Sequence, residues 1–261
     1  LLLSDILALG LRGLGFIACQ MALTVAVAYL IGRKMGFGKK FSLLMGAGNA
    51  VCGSSAIATV SPVVKANSKD KGISITIVNV TGTILMVVLP ILTGVVYQHE
   101  VMHTSAMIGG TLQSIGQVIA SAQLVGGEVV ETATIFKIIR IVFIVLVALA
   151  FSRMNVEKDD TPLFSKSEAG EHGAVKAGVP WFIIGFFIMA ILHSVGVIPP
   201  VVSHAAKLVS QQFEIIALAA IGMRVKFRDL AAEGPRAMLY GVGVGACQIV
   251  FALVLIRMFI G

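Results

Sequence analysis

The sequence predicts an all-α, polytopic transmembrane bundle with two broken or re-entrant helices. Of its 261 residues, 57% are hydrophobic and only 13% are charged, about half the ~25% of an ordinary soluble domain. Apolar runs of the length that crosses ~30 Å of hydrocarbon, about 20 residues, recur along the chain. The basic residues behind the formal charge of +7 stand in short loops between those runs. That is the positive-inside pattern of a membrane protein, not the clustered patch of a nucleic-acid binder, so lipid rather than nucleic acid is the expected surrounding.

Six runs qualify as spans: 14–32, 73–97, 134–151, 181–197, 201–223 and 238–260. Two further apolar segments are unusual. Segment 41–64 contains Gly46, Gly48, Asn49, Gly53, Ser54, Ser55 and Pro62, and segment 105–124 contains Gly109, Gly110, Gln113, Ser114, Gly116, Gln117 and Ser121. Backbone at membrane depth leaves the helix only where protein or a water-lined cavity surrounds it, so both segments read as broken helices. The hydrophilic stretch 152–179 reads as an extramembrane linker. It divides a single membrane domain into helices at 1–151, with both broken segments, and helices at 180–261.

Loop charge sets the expected topology. Arg33, Lys34, Lys39 and Lys40 place one loop in the cytoplasm, and Lys65, Lys69 and Lys71 suggest the same for the next. Segment 41–64 would then enter and leave on one side. Glu128 and Glu131, without a basic neighbour in their loop, suit the outside, so the two odd segments are expected as hairpins from opposite faces. The pattern D-[IL]-x-A-x-G-x-R occurs at Asp5–Arg12 and again at Asp229–Arg236. Charge puts the copies on opposite faces, as an inverted-topology repeat would. The second copy follows a full span and the first follows three leucines, so a preceding helix is expected beyond the N-terminal end given.

The chemistry is expected at the two breaks. Amides freed at a half-helix N-terminus favour an anion, and Asn49, Cys52, Gly53, Ser54 and Ser55 surround the first break. The blander reading is close packing of small residues. Gln113 and Gln117, four apart, are expected on one helix face, with Ser114 beside them as a cavity lining. Lys137 and Arg140, three apart, are expected in the first two turns of a span. There they serve function or extend to the interface. Gly48 and Gly53 imitate a phosphate-loop spacing, but Ser54 stands where its lysine belongs. The cysteines Cys19, Cys52 and Cys247 form no metal-ligand spacing, and the sequence offers no cofactor site. Cys52 as the nucleophile of an intramembrane enzyme lacks a nearby His or Asp, so the chain is not read as an enzyme. An anion channel would share the same lining as a transporter, and a homodimer is compatible with the sequence.

Several motifs together resemble the sulfate exporter family, bacterial inner-membrane proteins whose name rests on similarity. Asn49-Ala-Val-Cys-Gly-Ser-Ser-Ala-Ile-Ala58 resembles its C-G-[AS]-[SA]-A run, and Gly110-Thr-Leu-Gln-Ser-Ile-Gly-Gln-Val118 its second signature. Lys137-Ile-Ile-Arg140 resembles its K-x-x-R, and Pro180-Trp-Phe-Ile-Ile-Gly-Phe186 is similar to its P-W-F-x-x-G-F element. The resemblance implies a multi-pass inner-membrane exporter of sulfate-like anions. Many members carry a His-Glu pair where this chain has Gln113-Ser114, so proton coupling through those positions is not expected here. The combined expectation is a secondary transporter of a small anion, held by Asn49, Cys52, Gly53, Ser54 and Ser55 from one side and by Gln113, Ser114 and Gln117 from the other. Lys137 and Arg140 would raise anion occupancy.

Overall fold

The structure is a computed structural model that describes residues 10–154 and 235–261 continuously and isolated positions between 185 and 216. The spans expected at 181–197 and 201–223, the linker beyond residue 154 and most of both repeat copies lie outside the described residues. Nine helices run through the continuous stretches. They are α1 (Gly10–Lys34), α2 (Lys39–Ala50), α3 (Ser54–Val63), α4 (Ser68–Tyr97), α5 (Val101–Thr111), α6 (Ile115–Gln123), α7 (Gly127–Val142), α8 (Ile144–Ser152) and α9 (Pro235–Phe259).

Four helical stretches among the described residues are long and apolar enough to cross a membrane: α1, α4, α7 with α8, and α9. Their outward faces carry Leu23 and Leu30, Ile91 and Val95, Leu146, and Val250 and Val254 in exposed positions. An apolar exterior of this kind is what lipid requires. The other four helices are too short to cross. With 12 residues in α2, the helix is about 18 Å long at 1.5 Å per residue, roughly half of a ~30 Å core.

Side-chain contacts fix how the short helices run. Gly32 of α1 lies against Ser42, and Gly46 lies against Val25, so α2 descends antiparallel to α1 and ends near its middle. The chain turns at Val51–Gly53 and returns as α3. Lys40 Nζ at the start of α2 donates to the carbonyl of Lys65, just past α3, at 3.0 Å. Both ends of the pair therefore sit side by side, and α2–α3 is a re-entrant hairpin. In the second pair, Ser105 Oγ of α5 donates to the Val129 carbonyl of α7 at 3.3 Å, and Gly109 packs against Ala133 and Phe136. So α5 and α7 run parallel from a common face. A short turn joins the end of α6 to the start of α7, which brings α6 back to that face. The α5–α6 pair is a second re-entrant hairpin, and it enters from the face opposite to the first.

Caps start these helices where the chain must turn. Asn67 Oδ1 accepts the Asp70 amide at 2.7 Å to begin α4. Ser114 and Gln117 form a reciprocal capping box that begins α6, satisfying two amides left free by the break. Helix α9 closes the bundle antiparallel to α1. Tyr240 Oη donates to the Ala28 carbonyl at 2.5 Å, and Phe259 reaches Gly15 at the other end.

Two expectations change. Helix α7 begins at Gly127 rather than near residue 134, because Glu128 and Glu131 tolerate the first turns that the hydropathy reading assigned to a loop. Lys137 and Arg140 therefore sit mid-span and are buried, not extended to an interface. Gln113 does not share a helix face with Gln117, since the helix is interrupted at Leu112–Ser114 and Gln113 precedes α6.

Candidate functional site

The two hairpin tips meet near the middle of α1, α4, α7–α8 and α9, and the hairpins' opposed entry fixes which helix ends face one another. The carboxyl ends of α2 and α5 meet, and so do the amino ends of α3 and α6. Each carboxyl end carries about half a negative charge and each amino end about half a positive one.

Lys137 and Arg140 fill the junction of the carboxyl ends. Arg140 Nε donates to the Ala50 carbonyl at 3.0 Å, and Nη2 to Asn49 and Ala50 at 2.9 and 2.8 Å. Its Nη1 donates to Gly109 and Leu112 at 3.0 and 2.9 Å. A guanidinium has five N–H groups, so every one is engaged with a backbone carbonyl. Lys137 Nζ donates to the carbonyl of Leu112 at 2.7 Å and to that of Val51. The pair caps two broken helices at once, satisfying carbonyls that have no partner within their own helix. Gly109 is small enough for α5 to lie on α7. A Cβ there would run into the Ala133 carbonyl and come within 2.7 Å of Phe136 Cβ.

Among the described residues, the junction of the amino ends has no such filling. Gly53 takes φ +66, ψ −123, a conformation open to glycine and strained for other residues, and it turns the chain into α3. No side chain caps α3, and Ser54 and Ser55 at its first turn are exposed. Ser55 Oγ also donates to Cys52 Sγ at 2.9 Å, which holds the turn closed. The tip of the second hairpin is adjacent. A Cβ on Gly53 would stand 3.5 Å from Gln113 Cβ and 3.8 Å from Asn79 Oδ1. Ser114 is half-buried and Ile115 exposed at the start of α6.

Between the two junctions lies a cluster of buried amides. Gln113 Nε2 donates to Asn49 Oδ1 at 3.1 Å and to Gln248 Oε1 at 3.4 Å. Gln248 Nε2 donates to the Asn49 carbonyl at 3.0 Å, and Gln20 Nε2 to the Gln248 carbonyl at 2.8 Å. Gln117 Nε2 donates to the Asn79 carbonyl at 3.3 Å. All ten residues expected at the site gather at the tips, but in separate surroundings. Gly53, Ser54, Ser55, Ser114 and Gln117 stand at the amino ends, with Cys52 in the turn. Asn49 and Gln113 join the amides, and Lys137 and Arg140 lie at the carboxyl ends. Gln20 and Gln248 were not expected. Each is a lone glutamine near the middle of an apolar run, the one signal that could have found them.

These features define a multi-pass α-helical membrane protein built on two opposed re-entrant hairpins. The chain belongs to the family described as conserved hypothetical protein 698, whose model matches residues 1–241. It is 57% identical to a UPF0324 membrane protein of Clostridium perfringens, over 98% of this chain and 75% of that one. It is 44% identical to a UPF0324 membrane protein of Lactiplantibacillus plantarum, over 94% and 73% of the two chains. With the UPF0324 membrane protein TauZ of Paracoccus denitrificans it shares 31% identity, over 94% and 68%. The sulfate exporter resemblance is consistent with this membership. No solved structure matches the chain.

Proposed function

We propose that this protein is a secondary transporter of a small anion in the bacterial inner membrane, with sulfate or a sulfonate exported as the leading candidates. The observation that carries the reading is the unequal treatment of the two helix junctions. Cations fill the junction of carboxyl ends, whereas among the described residues no charged side chain fills the junction of amino ends, where the first turn of α3 has no side-chain cap. A small oxyanion supplies the missing negative charge there. It would accept from the free amides of Ser54, Ser55 and Ala56, from the hydroxyl of Ser54, and from the first turn of α6. Neutral donors avoid the desolvation penalty of a further buried charge. Broken helices at the midplane are a recurring way to build a transporter site, and hairpins from opposite faces are what an inverted repeat would produce.

Arg140 acts in this reading by positioning both tips, since its donors are engaged, and Lys137 adds long-range attraction. The test is uptake of labelled sulfate and methanesulfonate by liposomes containing the full-length protein. Ser54→Ala with Ser55→Ala should raise the half-saturating concentration at least about tenfold, the loss of roughly 1.4 kcal/mol of binding. Unchanged uptake in the double variant would remove the amino-end junction as the site.

A further inference from the structure

We propose that the transported anion carries a hydrogen-bond donor of its own, a hydroxyl or an amino group close to its acidic end, and that Gln113 and Asn79 accept from that donor. This rests on the anion-transport reading above and narrows its substrate class from bare oxyanions to sulfonates with a donor substituent.

The amide cluster between the hairpin tips engages its donors and keeps an acceptor free. Asn49 Nδ2 donates to the Met45 carbonyl at 2.9 Å, which turns Asn49 Oδ1 toward Gln113. Gln248 Nε2 donates to the Asn49 carbonyl at 3.0 Å, which turns Gln248 Oε1 the same way. Gln113 Nε2 donates to both of these oxygens. The network therefore assigns the two ends of the Gln113 amide, since a flip would set its oxygen against two others. Gln113 is 1% exposed, and among the described residues no donor reaches its Oε1. A buried acceptor without a donor carries its full desolvation penalty.

That oxygen stands at the junction of the amino ends. Gln113 begins beside the first break, with its Cβ 3.5 Å from the position that a Cβ on Gly53 would take, and its Oε1 lies 2.5 Å from the corresponding position on Gly82 of α4. Gln117 Oε1, in the first turn of α6, lies at the same distance from that second point. The unpaired oxygen is therefore beside a helix end that the anion meets. Three residues before Gly82 on α4 is Asn79, half-buried, whose Oδ1 is 3.8 Å from the Gly53 position. Amide oxygens from two elements thus border the amide donors of α3. Donors alone suit a bare oxyanion, which leaves an acceptor beside them unmatched. A ligand with an acidic group and an adjacent donor satisfies both sides at once. A site built around a substrate's hydroxyl or amino group rejects the analogue without it, because its own buried polar group is then unpaired.

The experiment uses full-length protein in liposomes and compares uptake of labelled 1-propanesulfonate, 2-hydroxyethanesulfonate and 2-aminoethanesulfonate, which place a methyl, a hydroxyl or an amino group at the same position. The hydroxyl or the amino compound should reach half-saturation at a concentration at least about tenfold below that of 1-propanesulfonate, and whichever does so identifies the donor. Equal or higher values for both would overturn the proposal while leaving anion transport intact, a bound water then serving Gln113. No transport of these compounds, of sulfate or of methanesulfonate would overturn the anion reading, and this proposal with it. Gln113→Met and Asn79→Leu should each reduce the preference several-fold. Asn79 meets the amide cluster through its backbone carbonyl, so its variant decides the matter where Gln113→Met fails to fold. A full preference retained in variants that still transport would overturn the assignment of the donor to these residues.

Discussion

Arg140 makes five hydrogen bonds to four carbonyls contributed by two different hairpins. Lysine has three donors and no fork, so Arg140→Lys leaves at least two of these bonds unmade. Each buried carbonyl left unpaired costs about 1–3 kcal/mol, and about 1 kcal/mol moves the midpoint of a chain this size by roughly 2–4 °C. A loss of several degrees in thermal unfolding of the detergent-purified protein is expected, and an unchanged midpoint would mean the tips are held by something else. Gly53→Ala tests the other junction. A side chain at φ +66, ψ −123 is strained by about 1–3 kcal/mol, so anion titration should show weaker affinity as well as lower stability. At this scale the sequence is half legible. Lys137 and Arg140 announce themselves as charges in an apolar run, and the serines as donors beside glycines. What spacing does not reveal is that the arginine binds carbonyls, because its partners lie 28 to 91 residues away. Gln20 and Gln248 stayed unnoticed because a lone glutamine in a span has an ordinary use as interhelical glue.

At the scale of the element, the hairpins depend on close approach. Gly109→Ala should push α5 off α7 and loosen the bonds from Arg140 to Gly109 and Leu112, at about 1–3 kcal/mol for overpacking. Faster hydrogen exchange across α5 relative to α4 would register it. The start of α5 carries a pH dependence. Burial alone would raise the Glu100 carboxyl, but the amides of His103 and Met102 and the His103 ring outweigh it, and its pKa is lowered. A depressed carboxyl contributes stability that is fully present above the unfolded carboxylate range and is lost as pH falls through the folded value. Protection of the Met102 and His103 amides, relative to Glu100→Gln, should therefore shrink on acidification. Equal protection in both proteins at neutral pH would contradict the cap. Both breaks were legible, because glycine and hydrogen-bonding side chains cluster more densely there than in the uninterrupted spans. Segment 41–64 compares with a helix pair that starts at Lys39 and ends at Val63, and 105–124 with one that starts at Val101 and ends at Gln123. The start of α7 was not, because two glutamates in its first turns read as a loop to any hydropathy measure.

For the whole molecule, the claim is that two hairpins enter from opposite faces and join at mid-depth. With the native cysteines replaced, Lys34→Cys and Lys69→Cys should react with an impermeant maleimide from one face, and Gln98→Cys and Glu128→Cys from the other. If Lys34→Cys and Lys69→Cys labelled from different faces, α2–α3 would span and the hairpin would be wrong. Loop charge already pointed to this arrangement through Lys39, Lys40 and Lys65. The meeting of like helix ends was beyond the sequence, since it depends on the depth that each tip reaches. The most direct test is to locate the anion itself, by solving the full-length protein with selenate and reading the anomalous signal of selenium. The account predicts a peak within hydrogen-bonding distance of the Ser54 and Ser55 amides and beside the first turn of α6. A peak elsewhere, or none at concentrations that support transport, would contradict it.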